Sequence, residues 1–392
     1  MSVKNGGSRG LSKKVEEMQP SGIRVFFDLV LGMKDVISLG VGEPDFVTPW
    51  QIREAGIYSL ENGSTSYTSN KGLVKLRMGL QHYLKKRYGL SYAHEDRILV
   101  TVGVSQGVDL ALRALINPGD RIIIPAPAYV CYAPLAELAG GKAVCIDTSR
   151  DGFKLTPRAL ESALRVPAKA LLLNYPCNPT GISYTARELR ELNRILLKHG
   201  VMCVSDEIYA DLTYDFEHTS FASLPGAKEN TLLLNGFSKS YAMTGWRVGY
   251  ACGPAKIIAA MTKIHQYMML CAPIMSQMAA CEALLTGRDS MEEMKREYRR
   301  RRSFIVDGLN RIGLDCALPQ GAFYAFASVK KSGLSSIEFC RRLLKEEKVA
   351  VVPGTAFGDN GEGYVRISYA AAMDKIKEAL GRMQRFLERN RK

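Results

Sequence analysis

Between residues 97 and 252 the chain alternates short, nearly continuous apolar runs with longer amphipathic stretches. The runs fall at 98–102, 121–124, 143–146, 170–173, 201–204, 231–234 and 248–252, and helical periodicity lies between several of them, at 106–116 and 185–198 and then at 256–267. Strands that are apolar on both faces and separated by helices predict a mainly parallel sheet covered on each side, an α/β fold. Upstream, the pattern predicts a helix over 21–35 with Ile23, Phe26, Phe27 and Val30 on one face, a strand over 36–46 that enters a loop at Gly40 and Gly42, and a helix over 74–88. Downstream, helices are expected over 276–285, 291–312, 335–346 and 373–389, with strand-like segments within 317–329, 349–352 and 364–369. Fewer strands with helices on one side suggest a smaller α+β domain. The expected division is an N-terminal arm and part of the small domain in 1–46, a large domain in 47–289 and the C-terminal small domain in 290–392, so that both termini build the smaller unit. Residues 1–20 are polar and lack a period, which suits a loosely held arm resting on a partner subunit.

Composition narrows the class. With 46% hydrophobic and 23% charged residues the chain has an ordinary soluble composition. Its most apolar long window, 122–141, is interrupted by Pro125, Pro127, Pro134 and Glu137, so no membrane span or secretory leader is expected. Nine cysteines without a C-x-x-C pair point to free thiols in a reducing cytoplasm, and five scattered histidines offer no zinc spacing, so no metal is expected. The net charge of +14 is spread over helix-like faces with no nucleic-acid recognition motif beside it. A basic surface that attracts anionic metabolites fits better than nucleic-acid binding.

The chemistry gathers where strands end. Lys239 follows the 231–234 run and precedes Arg247, and in open α/β sheets such strand ends line the ligand crevice. A lysine desolvated there has a lowered pKa and a nucleophilic amine. An aldehyde cofactor carrying a phosphate would also need donors for the phosphate, an acid for its ring nitrogen and partners for its phenolic oxygen. The loop at 102–107 offers Ser105 and a helix N-terminus, and Tyr129 could stack on a flat ring. Pro176 and Pro179 stiffen the loop around Asn178, Asp206 leaves a buried strand, Tyr209 follows it, and Arg366 lies on a later strand. Each has a plainer reading: a solvated lysine, a core tyrosine, a rigid turn at Asn178, a helix N-cap at Asp206, a strand-edge ion pair at Arg366.

Taken in order, Asn178-Pro-Thr-Gly, Asp206-x-x-Tyr209, Ser238-Lys239 with Arg247 eight residues on, and Arg366 resemble the fold-type I, class I/II aminotransferases that use pyridoxal 5′-phosphate. Ser21-Gly-Ile-Arg24 and Met243-Thr-Gly-Trp-Arg247 look like the subgroup with aspartate, aromatic and N-acetyl-diaminopimelate aminotransferases. The resemblance implies Lys239 as the lysine bonded to the cofactor aldehyde, Asp206 on the pyridine nitrogen, Tyr209 and Asn178 on the phenolic oxygen, and Tyr129 stacked on the ring. It implies Val104, Ser105 and Arg247 at the phosphate, joined by Tyr67 from the second subunit of a homodimer, and Gly40, Asn178 and Arg366 at the substrate α-carboxylate. Many relatives carry a phosphate-binding serine where this chain has Gly236, and Ser238 is the candidate replacement. Arg24, Tyr67 and Tyr132 are candidates for the side-chain pocket. The implied reaction is ping-pong transfer from an L-amino acid to a 2-oxo acid, 2-oxoglutarate by family analogy. The alternatives are another reaction of the same cofactor (C–S lyase or decarboxylase) or a cofactor-sensing regulator, for which the short polar N-terminus leaves no DNA-binding domain.

Overall fold

A computed structural model describes residues 10–20, 22–23 and 33–390. All seven apolar runs become strands of one sheet: β2 (Ile98–Thr101), β3 (Arg121–Ala126), β4 (Lys142–Asp147), β5 (Ala170–Asn174), β6 (Met202–Asp206), β7 (Thr231–Gly236) and β8 (Gly249–Cys252). Preceding them is β1 (Ile37–Ser38). The sheet order is β2-β8-β7-β6-β5-β3-β4, and β8 alone runs antiparallel to its neighbours. Alternation within each run sends residues to opposite faces. Ile122, Ile124 and Leu172 pack under helices Gly103–Leu115 and Ala255–Met268, while Ile123, Leu171 and Leu173 meet Leu189, Leu192 and Leu196 of helix Ala186–His199. Burial on both faces is the reason the inner strands are apolar throughout rather than alternating, whereas the edge strand β4 is only half-buried.

A second layer forms from β9 (Tyr324–Ser328), β10 (Val349–Ala350), β11 (Val352–Pro353) and β12 (Tyr364–Ser368). The antiparallel order is β11-β12-β9, and β10 pairs in parallel with β1, which brings an N-terminal segment into the C-terminal unit. Helices Arg288–Arg311, Ser336–Glu347 and Met373–Arg389 close its core around Ile305, Leu309, Phe339, Ile376 and Phe386. The long helix Arg288–Arg311 joins the two cores, since Met291 packs with the large sheet and Ile305 with the small one.

Three local expectations need correction or restriction. Most of the helix expected over 21–35 lies outside the described residues, and 33–36 are not helical, with Asp35 at φ 58°. Helix Trp50–Glu61 has a mixed pattern that hides it from periodicity: Trp50, Ile57, Tyr58 and Leu60 are exposed, while Gly56 and Ser59 are buried beside Ile52. A small residue is needed inside because a Cβ at Gly56 would lie 2.7 Å from the Trp246 ring. In the arm, residues 13–17 form a short helix, and Lys14 Nζ donates to Glu137 O at 3.0 Å.

Candidate active site

The carboxyl ends of β5, β6 and β7, the start of helix Gly103–Leu115 and the loop at 41–43 enclose a cavity of about 370 Å³, which Tyr324 of β9 and Arg366 of β12 close from the small sheet. Of the residues singled out in the sequence, Val104, Ser105, Tyr129, Tyr132, Asn178, Asp206, Tyr209, Ser238, Lys239, Arg247 and Arg366 all line it. Gly40 does not, although its carbonyl accepts from Arg366 Nη2 at 2.5 Å; Gly42 takes the lining position instead. Tyr67 is 82% exposed on the outer surface of this chain. Arg24 lies outside the described residues, and its neighbour Ile23 lines the cavity.

Lys239 Nζ donates to Gly42 O at 2.7 Å and sits 5.9 Å from the ring centroids of Tyr209 and Phe323. Burial pulls its pKa down to about 8; Glu43 and Asp206 oppose this, whereas Arg366 and Arg247 add to it. The amine is therefore partly unprotonated near neutrality.

Asp206 is 3% exposed and ends a strand whose side chains are otherwise packed in the core. Tyr132 Oη donates to its Oδ2 at 2.6 Å and the Ile208 N–H to its Oδ1 at 3.1 Å. Burial nonetheless lifts its pKa to about 6, against the pull of these two hydrogen bonds and of Lys239, with Glu207 pushing the same way as burial. The helix N-cap reading accounts only for the Ile208 contact, a local turn. No cation among the described residues stands within ion-pair distance of it.

Arg366 is 1% exposed. The strand-edge ion pair is absent: β12 is the middle strand of its sheet, and among the described residues the guanidinium meets no carboxylate. Its Nη1 donates to Asn178 Oδ1 at 2.9 Å, its Nε has no partner among the described residues, and the Tyr324 and Phe357 ring centroids lie 4.6 and 4.9 Å away. A buried cation bonded only to neutral carbonyls is an unbalanced charge, and an anion in the cavity would balance it.

At the other end, Gly103 opens its helix at φ 74°, and a Cβ there would lie 2.5 Å from Arg247 Nη2. That close approach sets a guanidinium beside a helix N-terminus with Val104 and Ser105, an arrangement suited to a phosphate. Arg247 is itself held at φ 52° with its Nη1 bonded to Thr244 O at 2.9 Å. Gly236 pairs with Gly249, and a Cβ added to it would meet Gly249 Cα at 3.0 Å and Val248 O at 3.1 Å. This chain packs its strands too closely there for an easy serine, and Ser238 lines the cavity two residues on.

Tyr324 and Glu43 were not singled out in the sequence. Tyr324 Oη is 2.7 Å from Tyr209 Oη, and Thr244 Oγ1 donates to Glu43 Oε2 at 3.1 Å on the cavity wall. Glu43 stands in the glycine loop that drew notice only for its glycines, and Tyr324 carries no local signal because the contact is made across 115 residues. Tyr132 was placed in the pocket, but its bond to Asp206 was not foreseen.

Residues 34–383 match the family model described as aminotransferase class I and II. The chain is 54% identical over 380 residues to a putative aminotransferase, YugH, of Bacillus subtilis, covering 97% of this chain and 98% of that one. It is 44% identical over 381 residues to an aspartate aminotransferase of Pyrococcus abyssi, covering 96% and 98%. The crystal structure of an aromatic aminotransferase from Pyrococcus horikoshii superposes with a TM-score of 0.89 at 42% identity, covering 94% of this chain and 99% of that one.

Proposed function

The chain belongs to the class I and II aminotransferases, pyridoxal 5′-phosphate enzymes that pass an amino group from an amino acid to a 2-oxo acid, and we propose that the Lys239 cavity is where it does so. The observation that carries this reading is the buried Arg366 guanidinium, without a carboxylate partner among the described residues, placed in one cavity with a buried lysine of lowered pKa and a buried acid. The residues fit the cofactor: the Gly103 cradle with Ser105 and Arg247 suits its phosphate, and Asp206 lacks a cation that a ring N–H would supply. When bound, the cofactor withdraws electrons from the donor α-carbon and holds the amino group between the two halves of the reaction.

The chain's own residues do the rest. Lys239 Nζ would hold the cofactor aldehyde, and its free amine would take the α-proton of the donor. Asp206, steadied by Tyr132, would keep the ring nitrogen cationic. Tyr209 and Asn178 would bond the phenolic oxygen, Tyr129 would stack on the ring, and Val104, Ser105, Ser238 and Arg247 would hold the phosphate. Arg366 receives the donor α-carboxylate through a charge-assisted pair, with Asn178 and the Gly40 loop beside it. Aspartate, an aromatic amino acid or N-acetyl-diaminopimelate is the donor type, and 2-oxoglutarate the acceptor.

The enzyme works as a homodimer in which the partner's Tyr67 completes the phosphate site. Support comes from exposed apolar side chains on two tied segments: Thr68 N–H donates to Cys271 Sγ and Asn70 to Leu270 O, so the segment that follows exposed Tyr67 is joined to the one that follows exposed Tyr267, Met268 and Met269. Nine unpaired cysteines support a reducing cytoplasmic setting, and no helix of the described residues is long and apolar enough to cross a membrane.

Borohydride reduction of the loaded protein followed by peptide mapping is expected to place the pyridoxyl label on Lys239, and a label elsewhere overturns the assignment. Lys239→Ala is expected to lose the covalent absorbance and essentially all turnover. Product formation that stops without an added 2-oxo acid separates transamination from lyase or decarboxylase chemistry.

A further inference from the structure

Asp206 opens on the cavity, and the next residue turns away from it, as successive residues of an extended chain do. Glu207 is fully buried and has no part in the steps above. Its Oε1 accepts from Ser205 Oγ at 2.8 Å, Phe221 N–H at 2.9 Å, Ser220 Oγ at 3.1 Å and Tyr175 Oη at 3.2 Å, and its Oε2 lies 2.9 Å from His218 Nε2. Five donors converging on one carboxylate are the surroundings of an ionised acid. His218 stacks on Tyr175 at 5.0 Å, meets Tyr88 edge-on at 6.0 Å, and has no partner at Nδ1 among the described residues. A neutral ring that donates from Nε2 leaves the pair one negative charge.

We propose that Glu207, held by His218, is a positioning residue of the active site: it pins the turn that carries Asp206 and Tyr209, and its fixed charge sets how firmly Asp206 keeps its proton. The proposal rests on the reading of Asp206 as the acid paired with the cofactor ring. Pinning acts from two sides, because Glu207 N–H donates to Leu234 O at 2.9 Å while its carboxylate ties in the backbone at Phe221. The charge acts on what lies near: Tyr175 and Cys203 are driven up by burial first and by Glu207 next, and the same charge adds to the burial of Asp206. The other ionisable groups facing Asp206 are Tyr129, Cys131 and Tyr132 beyond β3, Cys177 beyond β5 and Lys239 beyond β7. A carboxylate made more basic in this way holds a protonated ring nitrogen more tightly.

The test is an infrared titration of the full-length, cofactor-free protein, following the protonated-carboxyl band that Asp206→Asn removes. Wild type is expected to titrate near pH 6. Glu207→Gln keeps the acceptor for the four donors and removes the charge, so the Asp206 midpoint is expected to fall by at least about 0.5 unit, the low end of a neighbouring-charge effect. His218→Lys cancels the same charge with a cation and is expected to lower the midpoint too, so either variant that folds gives the answer. His218→Gln disturbs the same loop but keeps a neutral donor and the charge, and its midpoint is expected to stay. An unmoved midpoint in the charge-cancelling variants, or an equal shift in His218→Gln, overturns the proposal. Wild-type protein that takes up no cofactor would instead sink the reading of the site.

Discussion

At the scale of single residues, the site is built from charges held where water cannot screen them. Lys239 has a folded pKa of about 8, below its ordinary 10.5, mainly because it is buried. Between these values the unfolded chain binds the extra proton, so the group destabilises the fold below pH 8 and ceases to do so as pH rises toward 10.5. Asp206 is shifted upward, from 3.8 to about 6, so its destabilising effect is absent below the lower value and sets in as pH rises through the higher. Lys239→Met in cofactor-free protein is therefore expected to raise the melting temperature at pH 7 by about 2 °C or more, measured by calorimetry, while abolishing turnover. The rate of cofactor uptake, followed by stopped-flow absorbance, is expected to rise with pH and level off above about pH 8, where the amine is free. An ordinary lysine would keep rising to about pH 10. Tyr132→Phe removes the short hydrogen bond that holds the Asp206 carboxylate in place on the cavity wall. A tenfold or greater fall in kcat is expected, on the order of the worth of a hydrogen bond to a charged group.

Elements matter here through where they stop. Parallel strands with buried faces end together, and the three that end in Asn174, Asp206 and the loop to Lys239 deliver polar groups to one rim. Helix Gly103–Leu115 starts at that rim with no side-chain cap from Val102, and Gly103 lets Arg247 reach its first turn. Gly103→Ala would strain a left-handed backbone and push into the guanidinium. Cofactor affinity measured by equilibrium dialysis is expected to drop by about tenfold or more, since a helix-end anion site is worth about 1–2 kcal/mol. The melting temperature of the unloaded protein should change far less.

For the whole molecule, the two sheets meet over the cavity, and the buried Arg366 comes from the smaller one. An exposed surface carrying Tyr67, Tyr267, Met268 and Met269 is more apolar than a solitary chain needs. Sedimentation is expected to give twice the monomer mass, and Tyr267→Asp to shift the protein toward monomer with loss of activity. A fully active monomer would contradict the shared site.

Much was legible in the residue string. The seven apolar runs specified seven strands, and several site residues followed from their position after each run. Together with the family resemblance, that reading named eleven residues that line the cavity. What folding alone decided are the contacts between distant segments: Tyr132 on Asp206, Tyr324 on Tyr209, Arg366 on Asn178 and Gly40. Periodicity reports which face of an element is buried, and it is silent on what lies opposite. The helix Trp50–Glu61, with Gly56 and Ser59 inside and large side chains outside, escaped for the same reason, because its partner rather than its own pattern dictates its residues.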